Sequence, residues 1–189
     1  MSTPAAPVSS QSTRTRDMAF TALAAVIITV CSYITIPIGA VPFTLQTFAV
    51  FSVTAILGTR KSFFAILLYI IMGVLGLPVF SGMKGGIGVL FGTTGGYILG
   101  FLIVPLVYGL LTFVFNRKMI TELAALALGD FIVFFLGTVW FIAVYTGTKG
   151  AVTIGQAAAW CVIPFIVPDL VKLVVAVVLA GRVRKALRL

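Results

Sequence analysis

Six long apolar stretches with almost no charge inside them constrain this chain more than any other feature. They run over 18–36, 41–58, 62–80, 93–115, 119–146 and 155–181. Each approaches or exceeds the roughly 20 residues that a helix needs to cross a hydrocarbon core about 30 Å thick. Lipid offers no hydrogen-bond partner, so an open sheet edge there would leave backbone groups unpaired, and the stretches must be helical. The expected fold is therefore an all-α membrane protein, a bundle of six transmembrane helices over 17–189. Composition agrees: the 189 residues are 61% hydrophobic and only 9% charged, with a mean hydropathy of +1.23. Soluble domains carry about 25% charged residues, and a chain this small could not cover a water-facing surface with so few.

The basic residues fix an orientation. The net charge is +9, which would suit nucleic acid if the charges formed one patch. They fall instead in short clusters between the apolar stretches. Arg14, Arg16, Arg60, Lys61, Arg117, Lys118, Arg182, Arg184, Lys185 and Arg188 lie on one side, Lys84 and Lys149 on the other, and Lys172 within a stretch. Basic residues concentrate in cytoplasmic loops, so ten against two places both termini in the cytoplasm. Residues 1–16, rich in Ser, Thr, Ala and Pro, are expected to form a disordered cytoplasmic tail. The stretch from Met18 is longer than a signal-peptide core and counts as the first span. Cys31 and Cys161 lie inside apolar stretches, which argues against a disulfide framework. Histidine is absent, which excludes His-based metal sites, general bases and proton relays.

The strongest chemical signal is Pro168-Asp169-Leu170-Val171-Lys172, inside the last stretch. Ionisable residues within a span are costly and by default mark function. Three residues apart on a helix, Asp169 and Lys172 share a face and neutralise each other. Asp169 lies 13 residues before Arg182, roughly 20 Å of helix from the cytoplasmic edge. Pro164 and Pro168 favour a helix break just before it. The pair is either a structural ion pair or the polar floor of a site reached from outside.

A second signal is Val41-Pro42-Phe43-Thr44-Leu45-Gln46-Thr47. Here Pro42 is expected to start a helix, and Thr44 and Gln46 offer polar groups near the membrane surface for capping or for a ligand. A third is the stretch 77–96, with seven glycines and Lys84, which reads as a lid over a ligand or as a flexible loop. Thr21, Ala25 and Thr29, with Ala22 beside them, form a small-residue stripe on the first span; it serves internal packing or a partner helix. Glu122 is expected at the membrane interface, and Asp130 as a second polar site or a helix contact. No phosphate-binding loop is spelled anywhere, so energy for uphill transport would have to come from an ion gradient or another subunit.

Four segments in this order carry a resemblance: P-F-T-L-Q at 42–46, L-L-Y-I-I-M-G-V-L-G-L-P-V-F at 67–80, G-T-T-G-G-Y-I-L-G-F at 92–101 and P-F-I-V-P-D-L-V-K at 164–172. Together they resemble the BioY family, the biotin-binding S components of energy-coupling factor (ECF) transporters. The family often has Pro where Thr93 stands. Its S components commonly carry A-x-x-x-A on the first helix, which Thr21-x-x-x-Ala25-x-x-x-Thr29 only approximates. The resemblance implies a multi-pass protein of a prokaryotic cytoplasmic membrane that captures biotin from outside and needs no cofactor. It also implies partnership with a transmembrane coupling subunit and two ATPase subunits. On the ligand side, Asp169 would accept from the ureido N–H groups of biotin and Gln46 or Thr44 would donate to its carbonyl. Lys172 would orient Asp169 or meet ligand charge, Lys84 would meet the carboxylate, and Tyr97, Phe43 and Phe80 would wall the apolar part. The alternatives are a stand-alone ion-coupled carrier using Asp169, Asp130 or Glu122, and an intramembrane enzyme, for which no nucleophile–base motif is present.

Overall fold

The computed structural model describes residues 10–37 and 39–187. Helix α1 spans Ser10–Tyr33. It starts earlier than expected, so 10–16 is helical rather than disordered, while 1–9 lies outside the described residues. No Pro or Gly follows Pro7 until the helix is complete, and extending a helix that is already nucleated costs little per residue. The far end also differs. The helix stops at Tyr33, and β1 (Thr35–Ile36) pairs antiparallel with β2 (Phe43–Thr44), Thr35 opposite Thr44. Ile36 and Val41 each precede a proline, which pushes a residue into extended backbone. Pro42 therefore leads into this short ladder, and helix α2 begins only at Gln46.

Helix α2, Gln46–Val74, contains a break at Gly58, with φ 76° and ψ 179°. The side chains of Gln46 and Tyr69 hydrogen-bond at 2.9 Å across 23 residues, which along a straight helix would lie about 34 Å apart. The chain must therefore fold back at Gly58, and its two arms run antiparallel. The expected stretches 41–58 and 62–80 are these two arms. The second arm ends at Val74, ahead of Gly76 (φ 97°) and Pro78.

A 3₁₀ turn (Ile87–Val89), α3 (Gly95–Gly100), α4 (Ile103–Phe115), α5 (Met119–Lys149), α6 (Ile154–Cys161) and α7 (Ile163–Leu187) follow. Five helical segments are long and apolar enough to cross a membrane: Arg14–Tyr33, Gln46–Val74, Gly95–Phe115, Met119–Lys149 and Ile154–Leu187. The break in the last falls at Val162 (φ −122°, ψ −59°), well before Asp169, and Pro168 is carried inside α7. With Pro164 in its first turn, α7 loses at Pro168 only one ladder hydrogen bond, so the break moves to the residue pair that precedes Pro164.

The core is formed where α1, both arms of α2, α4, α5 and α7 meet, around Ile28, Val50, Phe51, Ile66, Tyr69, Val104 and Leu126. A smaller cluster of Val41, Phe141, Ala157, Cys161 and Phe165 closes the end opposite Gly58. Large apolar side chains such as Phe131, Phe135, Val167 and Val171 stay exposed, as expected of a surface solvated by lipid. The small-residue stripe of α1 packs inward: Ala25 is fully buried and Thr21 and Thr29 half-buried, and only Ala22 is exposed. Both threonine hydroxyls bond back to backbone carbonyls four residues earlier. The exposed face of α1 consists instead of Leu23, Val26, Ile27 and Val30.

At the Gly58 end, Glu122 is buried rather than interfacial, at 2% exposure. It accepts hydrogen bonds from Arg117 Nε at 2.8 Å, Arg184 Nη2 at 3.1 Å and Tyr108 Oη at 2.8 Å. Arg117 and Arg184 also both donate to the Ala55 carbonyl, in the last turn before the break. This ties α2, α5 and α7 together. Asp17 pairs with Lys61 at the same end.

Candidate binding site

The end opposite Gly58 holds a cavity of about 580 Å³, within the usual size of small-molecule sites. At its base is the Asp169–Lys172 pair. Both are buried, at 2% and 8% exposure, and their charged atoms approach to 2.6 Å. One turn of α7 separates them, so they lie on the same face and point toward the start of α2.

Lys172 has three N–H donors and all three are used. They go to Asp169 Oδ1 at 2.6 Å, the Thr44 backbone carbonyl at 2.7 Å and Thr47 Oγ1 at 3.0 Å. The ammonium also lies 4.0 Å from the centroid of the Phe43 ring, a cation–π contact. Thr47 completes the set by donating to Asp169 Oδ1 at 3.0 Å. Both protein donors converge on Oδ1. Among the described residues nothing donates to Asp169 Oδ2, and the residue lines the cavity. An ionised carboxylate accepts through both oxygens, so the geometry leaves one acceptor open to an occupant. Lys172 orients that acceptor and has no donor left for a ligand.

The remaining expected residues divide. Thr44, Gln46, Phe80, Lys84 and Tyr97 all line the cavity. Phe43 does not: it sits beneath Lys172 and stacks on Phe165 at 6.0 Å, so it supports the base rather than walling the cavity. Thr44 contributes its carbonyl to Lys172, while its hydroxyl accepts from the Gln46 backbone N–H at 3.3 Å. Gln46 is held by its own hydrogen bond to Tyr69, and Tyr69 packs edge-on against Phe80 at 5.5 Å. Tyr97 is fixed by Thr138 Oγ1 at 3.1 Å and by Gly137, where any Cβ would fall inside the tyrosine ring. Asp130, half-buried on α5, is not part of the lining.

The glycine-rich stretch forms one wall, through Gly85, Gly88 and Gly92. Phe80 and Lys84 exchange backbone hydrogen bonds of 2.9 and 3.2 Å around a tight turn with Gly82 at φ 73° and Met83 at φ 57°. The turn holds Phe80 in the core, where its ring fills the space that a side chain at Gly73 would need. Ser32 Oγ pins the segment to α1 through the Val79 carbonyl at 2.6 Å.

Thr47, which completes the polar base, is a lining residue that the sequence did not single out. Its signal was present, because Thr44 and Thr47 are three apart and Thr47 is polar inside an apolar stretch. Val133, Cys161 and Phe165 also line the cavity. Apolar residues inside apolar stretches gave no sign of this.

Comparison with known proteins decides the family: the BioY family model matches residues 5–189. The chain belongs to the BioY family. A probable biotin transporter BioY of Pyrococcus horikoshii is 37% identical over 171 residues, spanning 90% of this chain and 98% of that protein. The biotin transporter BioY of Thermotoga maritima is 40% identical over 166 residues, 88% of this chain and 92% of its own. The crystal structure of the S-component for biotin from an ECF-type ABC transporter superposes with a TM-score of 0.82, covering 94% of this chain and 95% of that one. At 23% identity that last likeness is one of fold. The two relatives are named as biotin transporters and the solved structure as a component of one, and this chain covers nearly the full length of each.

Proposed function

We propose that this BioY protein binds biotin from outside the cell and serves as the substrate-specific subunit of an ECF-type, ATP-driven uptake system. The observation that carries the reading is the Oδ2 of Asp169, which no described donor reaches, on a residue that lines the cavity and with every donor of its lysine partner already engaged. Such an acceptor suits a neutral head with N–H donors, and the ureido ring of biotin has two. Gln46 stands on the same wall for the ureido carbonyl, Phe80 and Tyr97 enclose the thioether ring, and Lys84 faces the carboxylate. Counting the two arms of α2 separately gives six passes. The Gly58 end, with the start of α1, the end of α7 and nine of the described basic residues, is then cytoplasmic, and the cavity opens outside. The family relationship supports a transmembrane coupling subunit and two ATPases as partners, since this chain spells no ATP-binding loop.

Two experiments test this. Asp169→Ala, in protein that still elutes as a folded species, weakens biotin binding by more than about tenfold, about 1.4 kcal/mol, in a direct titration; unchanged affinity rejects the site. Purified protein in vesicles binds labelled biotin without accumulating it when an ion gradient is imposed. Gradient-driven accumulation by the chain alone would make it a secondary carrier.

A further inference from the structure

A second, smaller cavity of about 310 Å³ adjoins the first and shares Ala40 and Thr93 with it. Its other walls include Tyr145, Lys149 and Trp160. The Lys149 ammonium lies 5.6 Å from the Tyr145 ring centroid, and the Tyr145 and Trp160 rings are 5.9 Å apart. The charge balance of the whole chain bears on this chamber. There are only four acidic residues, and three are committed: Asp17 to Lys61, Glu122 to the two arginines, and Asp169 to Lys172. The fourth, Asp130, lines neither cavity. Lys84 and Lys149 are the two basic residues of the cavity end outside the buried pair. Among the described residues neither has a carboxylate partner, and each lines one of the two adjoining cavities.

A mouth with two uncompensated cations and low-dielectric walls focuses potential and draws in anions. Lys149 lines only the smaller cavity and Asp169 only the larger, so Lys149 makes no contact with a head seated against Asp169. Resting on the biotin reading, we propose that the Tyr145–Lys149–Trp160 chamber is an antechamber on the way in. Lys149 receives the carboxylate of an anionic ligand there and holds it across the barrier to the main cavity, releasing it once the head is seated.

This role has a kinetic signature. A group that stabilises the passage but not the seated state changes the on-rate and off-rate by the same factor and leaves Kd alone. The test is stopped-flow binding of biotin, and of its neutral carboxamide, to protein in nanodiscs of zwitterionic lipid at physiological and high salt. For Lys149→Gln at physiological salt, both biotin rates fall together by about threefold or more, Kd is unchanged, and the effect fades at high salt. The carboxamide shows no difference between wild type and variant, and Lys149→Arg restores both rates. A lysine that merely complements the end of α5 would shift the melting temperature and leave the rates alone. Unchanged biotin rates, an equal loss with the carboxamide, or a raised Kd through the off-rate alone would each overturn the proposal. Wild-type protein that failed to bind biotin would instead end the underlying functional reading.

Discussion

Replacing Lys172 tests whether the buried pair exists for the ligand or for the fold. Lys172→Met keeps the length and apolar stem of the side chain but removes three hydrogen bonds, at 2.6, 2.7 and 3.0 Å. Asp169 is then left at 2% exposure with a single hydroxyl donor from Thr47. Stranding one member of a buried ion pair costs about 3–5 kcal/mol. For a chain of this size, 1 kcal/mol corresponds to about 2–4 °C, so thermal unfolding in detergent drops by roughly 6–20 °C. Removing both charges, as Asp169→Leu with Lys172→Met, strands neither. An apolar pair of similar volume is often neutral or stabilising; the Thr44 carbonyl is left unsatisfied, at about 1–3 kcal/mol, while the Thr47 hydroxyl loses both partners but lines the cavity, where water can replace them. The double variant therefore melts above Lys172→Met, within roughly 10 °C of wild type. It nonetheless loses biotin binding by about a hundredfold or more, because the ureido N–H groups lose their acceptor. A double variant that binds within about threefold of wild type would refute the reasoning and make the pair purely structural.

Two further outcomes follow from the backbone and the Gly58 end. Gly58→Ala meets no atom within 4 Å, so its whole effect is strain at φ 76°. The expected loss is about 1–3 kcal/mol in thermal unfolding, against no more than about 0.5 kcal/mol for Gly181→Ala, which lies in regular helix with open space around it. Glu122→Gln leaves Arg184, at 19% side-chain exposure, without its carboxylate. It destabilises by about 3 kcal/mol while biotin affinity in the remaining folded protein stays within about twofold, since the cluster lies at the opposite end from the cavity.

The sequence made the architecture legible where a single physical rule dominated. Spans followed from length and apolarity, and the reversal between 58 and 62 followed from the gap between two such stretches and the basic pair Arg60 and Lys61. The Asp169–Lys172 pair stood out because nothing else explains charge inside a span. What stayed hidden depends on contacts between distant segments. Glu122 looked interfacial because Arg184, 62 residues away, is invisible from its neighbourhood. Phe43 was read as a wall, but Lys172 claims its ring face from 4.0 Å. Two prolines produced the β1–β2 ladder through backbone restriction, an effect that an apolarity ruler does not register. The same ruler placed the last helix break at the proline nearest Asp169, whereas the chain breaks at Val162 and carries Pro168 inside the helix.

The claim at the centre of the account is that Asp169 presents one free carboxylate oxygen to the ligand. A structure of the biotin complex tests it directly. The account predicts a ureido nitrogen within hydrogen-bonding distance, about 2.7–3.2 Å, of Asp169 Oδ2, with Lys172 still engaged by Asp169, Thr44 and Thr47. Biotin seated with its ureido ring away from Asp169, or with Lys172 swung out to bind the ligand itself, would contradict it.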